Sequence, residues 1–147
     1  MSFEVDIKAF AQKCGKNANF VVRKTVLDIG RSLVEKTPVG NPDLWANPDN
    51  KPEGYAGGHA RANWSHSVGS VNQQEFDGID PTGSVSNARI AASIPGDAAG
   101  KVHYIQNSVP YIIPLEEGHS HQAPNGMAAL TQVEFQGMIQ RALSELK

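Results

Sequence analysis

The chain has 147 residues, a formal net charge of −2 and 39% hydrophobic residues. That is the size of one domain able to bury about two-thirds of its unfolded surface, and the mixed, near-neutral charge excludes a strongly basic nucleic-acid-binding face. The single cysteine, Cys14, excludes an intramolecular disulfide framework, and the start MSFEVDIKAF lacks the basic-then-apolar order of a secretory signal. No run approaches the roughly 20 apolar residues of a membrane-spanning helix, so the expectation is one domain over 1–147, folded in a reducing cytoplasm away from membranes.

Phe3, Ile7, Phe10, Cys14, Ala18, Val22, Val26, Ile29 and Leu33 recur at spacings of three and four. This predicts a long amphipathic helix from Glu4 to Lys36, with a break allowed near Gly15-Lys16-Asn17. Thr37-Pro38 ends it, because a residue before proline is pushed out of the α region. From 38 to 58 prolines, glycines and Asn-Pro pairs predict a loop. Trp45 and Tyr55 are large apolar surfaces for a flexible linker, so this loop is expected to lie against the domain or a neighbour.

Between His59 and Gly69, Ala62, Trp64, His66 and Val68 alternate with polar residues, which predicts a half-buried strand. Further strands are allowed in Ser70–Gly78. Val85, Ala88, Ala91, Ala92 and Ile94 predict a short helix on that face, capped by Thr82 or Ser84 and ended by Pro95-Gly96. Gly100 marks a turn before a second strand, Lys101–Asn107. Leu130, Val133, Phe135, Met138, Ile139, Ala142, Leu143 and Leu146 predict a C-terminal helix from Met127 to Leu146. The fold class expected is α+β: a long N-terminal helix and a C-terminal helix packed on a small antiparallel sheet.

The segment Asn107–Met127 gathers the chemistry. Pro110 and Pro114 punctuate Tyr111, Ile112, Ile113 and Leu115, then Glu116 and Glu117 meet a turn at Gly118, and His119 to Gly126 form a polar, exposed loop. His119 and His121 beside the two glutamates suggest a metal site, but no Cys pair or H-E-x-x-H accompanies them. A small metal-dependent hydrolase using His119, His121 and Glu116 or Glu117 is the alternative this leaves, and an unrelated cellular interaction module is a third. Ser120 has no G-x-S-x-G context, and the glutamates are adjacent rather than opposed across a cleft. Cys14 falls on the apolar stripe, where packing outweighs reactivity. Arg61 is expected at a rim while Trp64 enters the core, its guanidinium pairing with Glu116 or Glu117 within the chain or across a subunit boundary.

Thr37-Pro38-Val39, Gly58-x-x-Arg61-x-x-Trp64, Asn107-x-x-Pro110-Tyr111 and Leu115-Glu116-x-Gly118, followed by a terminal helix, resemble in order and spacing a family of small tailed-phage virion proteins. These are the head–tail joining or tail-completion proteins akin to lambda minor tail protein Z. The family often runs T-P-V directly into D-T-G, whereas here the proline-rich loop around Trp45 intervenes. The resemblance implies a non-enzymatic structural protein without cofactor, catalytic residue or metal. It implies assembly into a homo-oligomeric ring at the neck or top of the tail, contacting other neck or tail proteins, with host cytoplasm as the place of assembly and the virion as the destination. A ring requires a heterologous interface, and aromatic residues carry much interface energy. The candidate interface residues are therefore Trp45, Tyr55, Arg61, Glu116, Glu117, His119 and His121.

Overall fold

A computed structural model describes residues 2–5, 17–41, 47–53, 55–118, 120 and 122–146. The chain enters as strand β1 (Ser2–Val5) and continues in helix α1 (Ala18–Lys36). A 3-10 turn, Pro48–Asn50, interrupts the loop that follows. Next come a single helical turn α2 (His59–Ala62), strand β2 (Ser65–Val68) and helix α3 (Ser84–Ser93). Strand β3 (His103–Gln106), the short helix α4 (Ile112–Glu116) and helix α5 (Ala128–Ser144) complete the chain. The class is α+β, as expected, with an antiparallel sheet of order β1-β3-β2.

The expected helix from Glu4 is corrected at its start. Ser2–Val5 pairs antiparallel with β3, Ser2 opposite Gln106 and Val5 opposite His103. Backbone bonding to a strand a hundred residues away overrides a helical stripe that needed Phe3 as its first member, and S-F-E-V alternates as well as it spaces. Cys14 and the Gly15-Lys16 break lie outside the described residues.

From Ala18 onward the stripe holds. Val22, Val26, Ile29 and Leu33 are fully buried, and Val21 and Val34 are buried beside them because α1 is covered on more than one side. It packs along α5 and against α3. Gly30 permits the close approach to α3: a Cβ there would lie 3.0 Å from the Ile90 side chain. The core runs from Ile105 of the sheet through Ile29 and Leu33 to Met138 of α5.

Two expectations about surface and strand change here. His59–Ala62 is helical, not extended. Gly58 turns the chain at φ 115, a left-handed value that favours glycine, its carbonyl accepts the Ala62 amide at 2.9 Å, and the Asn63 side chain closes the turn by donating to the His59 carbonyl at 2.8 Å. The strand begins only after Trp64, which is fully buried as expected. In α3 the buried positions are Ser86 and Ile90, while Val85 is 57% exposed. Alanine sits equally well on either face of a helix, so Ala88, Ala91 and Ala92 misplaced the stripe. At the N-terminus Thr82 Oγ1 accepts the Ser84 amide at 3.4 Å, and the Asp80 carboxylate, not foreseen, accepts the Ser86 amide at 2.8 Å.

His66 opposes Ile105 and Val68 opposes His103 across β2 and β3, so these four share one face. On the other face Gln106 donates to Ser65 Oγ at 2.8 Å and accepts from Ser67 Oγ at 3.0 Å and from the Asn72 amide at 3.2 Å. Residues 70–78 are irregular and contain no strand.

Candidate interface cleft

The proline-rich loop and the segment after β3, far apart in sequence, meet on one surface. Gln122 joins them: its side-chain carbonyl accepts the Val39 amide at 3.1 Å and its amide donates to the Val39 carbonyl at 2.8 Å. One glutamine thereby pairs with a loop backbone as a neighbouring strand would. Gly57 lies so close to Gly40 that a Cβ on it would overlap the Gly40 carbonyl. Between these contacts opens a cleft of about 320 Å³, whose lining includes Val39, Tyr55, His59, Tyr111 and Gln122.

Tyr111 is presented by the start of α4. Pro114 stands in the first turn of that helix, where its missing N–H would have had no intrahelical acceptor. Tyr111 and Ile113 are 43% and 46% exposed. Partial burial, reinforced by the nearby Tyr55 and Glu75, raises the pKa of Tyr111 above that of an ordinary tyrosine.

At the cleft wall, His59 Nδ1 lies 2.7 Å from the Gly78 carbonyl and Nε2 lies 3.0 Å from the Glu75 carboxylate. Both partners are acceptors, so both contacts are hydrogen bonds only when the ring carries hydrogen on both nitrogens, and the site favours the imidazolium. The hydrogen bond to Glu75, then that to Gly78, raises its pKa. Both nitrogens are therefore engaged while the ring is charged.

The expected residues distribute unevenly. Tyr55 lines the cleft. Trp45, His119 and His121 lie outside the described residues. Arg61 does not pair with Glu116 or Glu117. Its guanidinium donates instead to backbone carbonyls: Thr37 at 3.1 and 2.7 Å, Glu35 at 3.2 Å and Pro81 at 2.5 Å. Two of those carbonyls belong to the open C-terminal end of α1, which a cation satisfies well. Burial lowers the arginine's pKa, with Asp80 and Glu35 opposing.

Glu116 faces the other way, to the N-terminus of α5. Its Oε2 accepts the amides of Met127 and Ala128 at 2.8 and 2.9 Å, and its Oε1 accepts that of Ala129 at 3.0 Å. Met127 in the cap position offers no acceptor side chain, so a carboxylate from the preceding helix supplies it. Glu117 is exposed. Among the described residues no three His, Cys, Asp or Glu side chains come together as a metal site.

The stretches that carry the family resemblance turn out to be fold ties. Thr37 is fully buried; its hydroxyl donates to the Leu33 carbonyl at 2.6 Å and accepts Trp64 Nε1–H at 2.7 Å. Arg61 reaches the same threonine's carbonyl. Asn107 donates to the Ala60 carbonyl at 2.8 Å and accepts the Val109 amide at 3.2 Å. Gly118 turns at φ 88 and packs against the Pro124 carbonyl, where a Cβ would collide. Sequence reasoning missed Gln122, Asn63, Glu75 and Asp80. Their partners are remote, and no local pattern announces them. Tyr111 was visible in the N-x-x-P-Y stretch. Comparison with protein-family models, curated proteins and solved structures finds no match to this chain.

Proposed function

We propose that this chain is a structural virion protein of a tailed bacteriophage, acting at the neck or the top of the tail in head–tail joining or tail completion through a ring of its own copies. The observation that carries the reading is the convergence of the resembling stretches. Arg61 and Trp64 both bond to Thr37, and Asn107 and Glu116 tie the following segments to the same scaffold. Short words scattered by chance through a sequence have no reason to hold one fold together.

The non-enzymatic part of the reading draws on the same geometry. His59 has an acceptor at each nitrogen, and Glu116 has both oxygens on backbone amides, which supports a structural role for both. The cleft beside Tyr55 and Tyr111 is the subunit contact in this proposal, since it presents aromatic surface at the junction of two loops. A ring needs one such patch and a different complementary one on the next copy.

Light scattering coupled to size exclusion, across a concentration series with and without purified tails, tests this. A discrete ring-sized mass, alone or on tails, is the expected result. A chain that stays monomeric under every condition and is missing from purified virions overturns it.

A further inference from the structure

Beneath the sheet, away from the cleft, two imidazoles are buried against each other. His66 is 6% exposed and His103 is fully buried; their ring centroids are 5.1 Å apart, and His66 Nε2 lies 2.8 Å from His103 Nδ1. At one end His103 Nε2 faces the Ala98 carbonyl at 2.8 Å. At the other His66 Nδ1 faces Ser93 Oγ at 2.8 Å, and that hydroxyl also lies 2.8 Å from the Ile90 carbonyl.

The hydrogens in this chain follow from its ends. A carbonyl only accepts, so His103 Nε2 donates to Ala98. In the neutral ring His103 Nδ1 must then accept, which requires His66 Nε2–H to donate. His66 Nδ1 in turn accepts the Ser93 hydroxyl. One proton can be added without moving a heavy atom: His66 Nδ1 takes it and donates to Ser93 Oγ, whose hydrogen turns to the Ile90 carbonyl. A second proton has no place, because it would set N–H against N–H between the rings.

No carboxylate among the described residues bonds to either ring. From α3 comes Arg89, whose guanidinium donates to the Ala62 and Trp64 carbonyls and lies over the Phe76 ring. The turn before β3 carries Asp97 and Lys101, paired with each other at 2.9 Å. Within β3, Tyr104 opposes Ser67 on the other face, and β1 sets Glu4 in register with Tyr104. On α1, Arg23 and Lys24 line a groove with Phe20 and Ala91, and Lys24 pairs with Asp28. An imidazolium here meets burial and the second ring, with nothing to neutralise it, and these two causes lower the His66 pKa to about 4.

We propose that Ser93, His66 and His103 form an acid-sensitive clasp that holds α3 to the sheet: closed, it has room for one proton at most, whereas the opened rings take protons freely, so acid favours the open form. Mild acid therefore loosens α3 before it loosens the α1–α5 pair, and frees the surface between Ser84 and Ile94.

Imidazole NMR and amide hydrogen exchange on the full chain, from pH 7.5 to about 3, test the clasp. At pH 7.5 both rings should be neutral with hydrogen on Nε2. Below pH 5, α3 amides, corrected for the chemical rate, should exchange at least about tenfold faster relative to α5. His66→Gln should remove that acid response. Ser93→Ala, which keeps both rings, should move the first protonation to lower pH because the imidazolium loses its acceptor. Titration of His66 near 6.5, hydrogen on Nδ1 at neutral pH, α3 and α5 loosening together, or an unchanged titration in Ser93→Ala each overturn the proposal. If His66→Gln does not fold, the wild-type titration and Ser93→Ala decide.

Discussion

His59 and His66 belong to neighbouring elements, α2 and β2, yet the fold shifts their pKa values in opposite directions. His59 has an acceptor at each nitrogen, Gly78 carbonyl and Glu75 carboxylate, and these favour its cation near the surface. His66 has a second imidazole and a hydroxyl, groups that donate or accept as needed, and is held neutral in the interior. The difference shows that the protonation state is written by partners rather than by the histidine itself. It also gives stability two opposite dependences on pH.

The largest effect expected is the acid limb of the buried pair. A folded pKa of about 4 against an unfolded 6.5 means that the unfolded chain binds more protons between those values. The stability contributed is present above pH 6.5 and is lost as pH falls towards 4, on the order of 3 kcal/mol in all. Urea unfolding at pH 7.5, 5.5 and 4.5 should trace that loss, and a flat profile would erase the contrast between the two sites. Next in size, His103→Gln should cost about 1–3 kcal/mol at pH 7.5, since it strands the donors and acceptors of His66 and Ala98 in the interior. The midpoint in urea reports it.

The His59 side gives a smaller change of the opposite sign. Its pKa is raised, so its contribution is complete below 6.5 and disappears as pH rises through the folded value. The His59 and Glu75 side chains are 33% and 44% exposed, so solvent screening holds the pair to about 0.5 kcal/mol or less. Glu75→Gln should remove this alkaline limb and leave the acid one, as read by unfolding at pH 6 and 8.5. Smallest on stability is Tyr111→Ala, under about 0.5 kcal/mol for a half-exposed ring. In the assembly proposed above, the same change should lower ring or tail-bound mass in light scattering. Unchanged assembly would move the subunit contact away from the cleft.

The sequence made legible what local chemistry decides. The stop of α1 at Thr37-Pro38, the span of α5, the place of β3 and the burial of Trp64 all follow from periodicity or from proline. It misled where a distant partner decides. β1 is a strand because β3 waits for it; His59–Ala62 is a helical turn because Gly58 and Asn63 shape it; Arg61 serves the end of α1 instead of a glutamate. Of the candidate interface, Tyr55 was identified from composition and is in the cleft, but the Gln122–Val39 junction that builds the cleft joins residues with no pattern in common. Glu116 was noticed for its charge, and its role as a helix cap is visible only once α5 is in place.

That cap has an evolutionary side. By holding the amides of Met127, Ala128 and Ala129, Glu116 ties the end of α4 to the start of α5, and Gln122, between them in sequence, bonds to Val39. A loop pinned at its base is insulated: lengthening it costs little closure entropy, and its tip can diverge without the core registering the change. Substitution between these ties is therefore expected to cost the body less than substitution at Glu116, Gly118 or Gln122, which hold it.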